Sequence, residues 1–125
     1  LGEPYACFIL AQLHRSGSKT VKVDKNKVVT YLEKAADGDY APAMCELGDL
    51  YFTGKLVNKN ITKAIACYNK ALVNGYLSKT AAANLASCYQ QGLGGLPKNA
   101  EIAKEIMKRG QEGNSWTGLL REFTF

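Results

Sequence analysis

The groups best able to do covalent or metal chemistry in this 125-residue chain are four cysteines, Cys7, Cys45, Cys67 and Cys88, and one histidine, His14. A thiolate nucleophile needs a base beside it, and a zinc site needs cysteines and histidines clustered at short spacings. The sequence holds no CxxC pair and no second histidine. An even number of cysteines in a secreted chain would suggest disulfides, but these are widely spaced and each falls inside an apolar helical run. They read as buried free thiols, which points to a reducing compartment and hence to the cytoplasm. The acids Glu3, Glu33, Asp37, Asp39, Glu46 and Asp49 form no pair at inward spacing, so no general acid–base couple is expected. The loop Gly92-Leu93-Gly94-Gly95 has no Gly-Lys-Ser/Thr after it and no strand before it, and a turn using left-handed backbone explains its glycines better than a phosphate cradle. No metal, no cofactor and no enzymatic activity are expected.

The formal charge is +5, from 16 basic and 11 acidic side chains. Lys19, Lys22, Lys25 and Lys27 form one basic cluster, and Lys55, Lys59 and Lys63 form another. If these loops stack, the lysines build a ridge suited to an acidic peptide or a phospholipid, although a plain solvated loop face accounts for them too. Aromatics interleaved for base stacking are missing, so nucleic acid is not expected. Asn60-Ile61-Thr62 is a glycosylation sequon that matters only in the secretory pathway, and Asn60 has a structural use as a helix cap.

Among the elements that must carry these residues, the dominant signal is internal repetition. Gly17, Gly54 and Gly92 recur at separations of 37 and 38, and Gly2, Gly38, Gly75 and Gly113 at 36, 37 and 38. Ala6, Leu10, Ala11 and His14 match Ala43, Leu47, Gly48 and Tyr51, and match again Ala81, Leu85, Ala86 and Tyr89. These offsets form a helical stripe, not the alternation of a strand. His14 therefore reads as a packing residue in a slot that the other units fill with tyrosine.

A second helix follows in each unit, started by the N-cap residues Asp24, Asn60 and Asn99. Its inward face is Val28, Tyr31, Leu32 and Ala35 in the first unit, then Ala64, Cys67, Tyr68 and Ala71, then Ala103, Ile106, Met107 and Gly110. The spacing predicts helices near 4–16, 24–36, 41–53, 60–73, 79–91 and 98–111, with a seventh near 115–123. Pro4 and Pro42 fall in first turns, where a missing N–H does no harm. Small residues at Ala11, Gly48 and Ala86 imply a close approach of the paired helix; Gly48 in particular lowers helix propensity by about 1 kcal/mol relative to Ala, so a tight contact is expected there. The longest apolar stretch near the start, Ala6 to Ala11, is too short to span a bilayer.

The middle unit resembles the Sel-1-like repeats, the variable-length relatives of the tetratricopeptide repeats. Ala43, Leu47-Gly48-Asp49-Leu50-Tyr51 and Gly54 are similar to the family's first-helix signature. Asn60, Lys63-Ala64, Cys67-Tyr68 and Lys70-Ala71 are similar to its second, with Asn for the usual Asp and Cys for the usual aromatic. The first unit keeps Tyr31 and Lys34-Ala35-Ala36, and the third keeps Ala81, Leu85-Ala86 and Tyr89 but has Arg109-Gly110 where Lys-Ala is typical. The resemblance implies an all-α, right-handed α/α superhelical solenoid of about three helix-turn-helix repeats, near 2–37, 38–74 and 75–112, in a single repeat domain. Residues 113–125 would be a capping helix, the start of a fourth repeat, or an apolar surface for self-association.

The same resemblance implies a scaffold or adaptor that holds a partner protein or peptide in a concave groove lined by the first helices. Mapped onto this chain, that face is Tyr5, Phe8, Gln12 and Arg15, then Pro42, Cys45, Asp49 and Phe52, then Thr80, Ala83, Ser87 and Gln90. Phe8 and Phe52 are candidate anchors, and Arg15 and Asp49 candidate polar selectors. The rival reading is a regulatory or docking segment of a larger enzyme or membrane-associated complex, like those of chitin-synthase regulation or ER-associated degradation. The opening Leu-Gly, with no initiator Met, suits a piece of a longer chain.

Overall fold

The computed structural model describes residues 2–17 and 22–112, and within them the chain is six helices without a strand. They are α1 (Gly2–Ser16), α2 (Lys25–Asp37), α3 (Ala41–Thr53), α4 (Ile61–Val73), α5 (Lys79–Gln91) and α6 (Ala100–Glu112). No end lies more than two residues from the position the sequence predicts. The helix expected near 115–123, and with it every reading of 113–125, lies outside the described residues.

Local chemistry sets these boundaries. The Asp24 carboxylate accepts from the N–H groups of Asn26 and Lys27 at the start of α2. The side chains of Asn60, Ser78 and Asn99 do the same for α4, α5 and α6, accepting from Lys63, Ala81 and Ile102 at 3.0, 3.1 and 3.1 Å. Each cap satisfies an N–H that has no partner within its own helix. Gly54 and Gly92 end α3 and α5 in left-handed backbone, at φ 78° and 69°, a conformation that lets the chain reverse where other residues resist it. One further bond closes every hairpin. The N–H of the second helix's cap, Asp24, Asn60 or Asn99, donates to the carbonyl of His14, Tyr51 or Tyr89 at 2.8–2.9 Å. The position shared by His14 and the two tyrosines is thus the point where the loop is tied back to the first helix.

α1 pairs with α2, α3 with α4 and α5 with α6, while α3 also packs on α2 and α5, and α4 on α5. The hairpins therefore stack in chain order as a helical solenoid, each covering the apolar side of the next. The core runs through all three, with Val28 and Leu32, then Met44, Leu47 and Tyr68, then Leu85 and Ile106 buried in turn. Burial of a large apolar side chain of this kind stabilises by about 1.5–3 kcal/mol. Ala11, Gly48 and Ala86 are all buried, as the close helix approach requires. Ala6 departs from its equivalents. Ala43 and Ala81 are inaccessible between hairpins, whereas Ala6 is exposed on α1, against which no earlier hairpin packs among the described residues. Met107 also departs from the inward face assigned to it and is 37% exposed, because α6 turns Ile102, Ala103 and Ile106 to the core instead.

Candidate functional site: a cavity shared by three hairpins

A cavity of about 790 Å³ opens where the three hairpins meet. α1 contributes His14 and Arg15 from its last turn, the segment before α2 contributes Val23, and the first turn of α2 contributes Lys25 and Val28. α3 crosses the middle with Glu46, Asp49, Leu50 and Thr53, a spacing of three and four that puts them on one helical face. Lys55 and Leu56 follow in the loop after it, and Thr80 and Asn84 close the far wall from α5.

The floor is polar and internally satisfied. Asp49 Oδ1 accepts from the Tyr68 hydroxyl at 2.6 Å and from Asn84 Nδ2 at 3.0 Å, which ties α3, α4 and α5 together across the second and third hairpins. Asn84 Nδ2 also lies 3.1 Å from the Tyr68 hydroxyl oxygen. Burial raises the Asp49 carboxyl above the usual carboxylate range, against the opposing pull of the two hydrogen bonds and of the Arg15 charge. Burial, with the Asp49 carboxylate beside it, likewise holds the Tyr68 hydroxyl protonated. Glu46 faces the first hairpin, accepting from Gln12 Nε2 at 2.8 Å and pairing with Arg15 at 3.5 Å. His14 stacks on Tyr31 with ring centroids 5.5 Å apart and planes 7° from parallel. Its Nδ1 is buried without a hydrogen-bond partner among the described residues.

The rim carries different chemistry. Lys25 and Lys55 are exposed and enter no ion pair among the described residues. Beside them Val23 and Leu56 leave apolar surface in water, at 56% and 39% exposure. Leu56 adopts φ 64°, a left-handed conformation that a branched side chain resists.

The residues assigned to a partner surface distribute unevenly. Arg15, Asp49 and Thr80 line the cavity, and Gln12 reaches its edge through Glu46. Cys45 does not belong to any surface: it is 1% exposed, because α3 turns it toward Ser78 and the third hairpin, and burial pushes its thiol up to about 11. Tyr5 and Phe8 gather around Tyr40, with ring centroids 5.6 and 5.1 Å from it, in a separate aromatic cluster. Phe52 is half-buried against the core. Ser87 is half-buried and Gln90 exposed on α5, and neither lines the cavity. Glu46, Asn84 and the Tyr68 hydroxyl were not anticipated. The stripe Pro42, Glu46, Asp49 and Thr53, with its helical spacing, was the signal for Glu46; the face mapped through Cys45 and Phe52 is rotated away from it.

Among the described residues, no three His, Cys, Asp or Glu side chains stand close enough to hold a metal ion. The four cysteines are free, with Cys67 half-buried and the others buried. No helix of the described residues is long and apolar enough to cross a membrane. What the arrangement offers is a built concavity with a fixed polar floor and a cationic, partly apolar rim.

A family model described as the Sel1 repeat matches residues 4–40, 41–75 and 79–110. The crystal structure of a Sel1 repeat protein from Oxalobacter formigenes is similar at 27% identity and a TM-score of 0.75, over 90% of this chain and 83% of that one. A protective antigen present in uropathogenic Escherichia coli strains, displaying an SLR fold, is similar at 25% identity and a TM-score of 0.76, over 90% of this chain but only 23% of the antigen. No curated protein matches the sequence.

Proposed function

The chain belongs to the Sel1 repeat family, whose members generally act in protein–protein interaction, and on that premise we propose that it is a scaffold or adaptor holding a partner protein or peptide in the cavity lined by α1, α3 and α5. The observation that carries this reading is that one concavity draws on all three hairpins at once. A side-chain network spends Gln12, Arg15, Glu46, Asp49, Tyr68 and Asn84 on holding its floor in shape. A preformed cavity limits the ordering a partner must induce, which favours affinity. The family is typically a non-catalytic scaffold, and the cavity's chemistry agrees with binding: its one histidine stacks on Tyr31, and burial raises the thiols of Cys45 and Cys67, the cysteines adjacent in sequence to Glu46 and Tyr68, so that both stay protonated. The free thiols favour a reducing compartment such as the cytoplasm. A docking segment within a larger complex would use the same surface.

Site-specific photo-crosslinking in the source organism tests the proposal. A crosslinker at Thr53 or Thr80, both exposed at the cavity, should capture one recurrent partner, while one at Glu101 or Lys104 on the exposed side of α6 should not. Capture of the same partner with equal yield from all four positions would overturn it.

A further inference from the structure

Resting on that reading, we infer that the cavity selects a partner segment in which a carboxylate side chain stands beside an aliphatic one. Several of the charged groups in the cavity already have partners within the fold. Glu46 accepts from Gln12 and is paired with the Arg15 cation, while the half-buried Asp49 carboxylate takes hydrogen bonds from Tyr68 and Asn84 on its Oδ1. Asp24, beside Lys25 in sequence, is turned back onto the N–H groups of α2. Lys25, at the start of α2, and Lys55, in the loop after α3, enter no ion pair among the described residues, and both line the opening. With Arg15 set against Glu46, the lining holds Lys25 and Lys55 against the single acid Asp49, so its balance is positive, and an anionic group is what complements it.

Each lysine has an apolar neighbour that the fold leaves in water, Val23 next to Lys25 and Leu56 next to Lys55. Leu56 is held there in a left-handed backbone conformation, although folding alone is served better by Gly or Asn at that φ. Its apolar side chain at the cavity mouth is thereby available to a contact from outside the chain. Leu50 and Val28 continue this apolar wall inward. An aliphatic side chain seated on that wall would bring an adjacent carboxylate to Lys25 or Lys55. A phosphate backbone answers the charge but leaves Val23 and Leu56 uncovered, so peptide is favoured over nucleic acid.

A random heptapeptide library displayed on phage and panned on the full chain tests this. The expected enrichment is for Asp or Glu within one or two positions of Leu, Ile, Val or Met. A fluorescent peptide of the enriched sequence should bind roughly tenfold more weakly to the K25E/K55E variant and equally well to K104E, with all three proteins equal in helical circular dichroism and thermal midpoint. Enriched peptides that lack acids, or that bind K25E/K55E undiminished, would overturn the inference. If such peptides still lose binding on Thr80→Arg in the cavity wall, the scaffold reading stands without it. If no peptide depends on either variant, both fail. Tighter binding at these lysines of a labelled 12-nucleotide single-stranded oligonucleotide than of the peptide would overturn it in favour of nucleic acid.

Discussion

Tyr68 fills the space that a side chain on Gly48 would need: a Cβ built at position 48 would sit 2.6 Å from Cε1 of the Tyr68 ring. The ring has no room to retreat, because it is fully buried and its hydroxyl is held by Asp49 at 2.6 Å. Gly48→Ala gains about 1 kcal/mol of helix propensity but forces the ring or α4 to shift, and overpacking of a core typically destabilises by about 1–3 kcal/mol. We expect the steric term to win, with a net loss read as a lower urea midpoint. The loss should shrink in a Tyr68→Leu background, where the clash is gone. A Gly48→Ala protein at least as stable as the parent would show that the approach of α3 and α4 is looser than this.

Gly48 also shows how much the sequence disclosed. A glycine inside a helical stripe, matched by alanines at Ala11 and Ala86, announced a close approach before any partner was known, and the N-caps Asp24, Asn60 and Asn99 announced where the second helices begin. These are local signals, written within a few residues of the feature they set. The cavity was harder to read because it depends on how far α3 is rotated between its neighbours. Cys45 and Glu46 are adjacent in sequence, yet one is buried against the third hairpin and the other reaches α1. The union of Asp49, Tyr68 and Asn84 spans 35 positions and has no sequence pattern of its own. Tyr5 and Phe8 show the converse, since a repeat register placed them in the groove while Tyr40 draws them into another cluster.

Asp49 makes stability depend on pH in an unusual direction for a carboxylate. Its folded-state pKa is raised, mainly by burial, so the folded protein binds that proton more tightly than the unfolded chain does. Its contribution to stability is thus fully present below the unfolded value, about pH 4, and is lost as pH rises through the raised folded value. Asp49→Asn keeps an oxygen acceptor for Tyr68 and Asn84 but cannot ionise. The variant should therefore gain on the parent as pH climbs from about 3 to 7. Urea titrations of both proteins across that range check the sign, and a variant that loses ground to the parent as pH rises would contradict the burial argument.

Cys45 gives a second pH dependence, at the alkaline end. Its thiol is pushed up to about 11 by burial, from an ordinary value of 9.0. The folded state therefore favours the neutral thiol, and that preference is fully present below about pH 9 and lost as pH rises toward the folded value. Parent stability should fall above about pH 9 more steeply than that of Cys45→Ala once the constant cavity penalty is subtracted. The same burial should leave Cys45 unalkylated by iodoacetamide at neutral pH while the fold is intact and fully alkylated in urea, as read by mass spectrometry. Prompt modification of the native protein at Cys45 would mean that the contact of α3 with the third hairpin opens readily.

Leu56 separates folding from binding most directly. In the left-handed region a non-glycine side chain costs roughly 1–2 kcal/mol, and Asn bears that conformation better than Leu. The apolar area forfeited by Leu56→Asn is modest, because 39% of the residue already faces water. The two effects oppose and nearly cancel, so the substitution should change stability by less than about 1 kcal/mol in either direction. Binding should respond differently, since the replacement removes an aliphatic contact at the cavity mouth and leaves Lys55 in place. We expect the Kd for an enriched acidic–aliphatic peptide to weaken several-fold while the thermal midpoint barely moves. A large loss of stability would instead make Leu56 a part of the core, and its strained backbone a requirement of the hairpin turn, not of a partner.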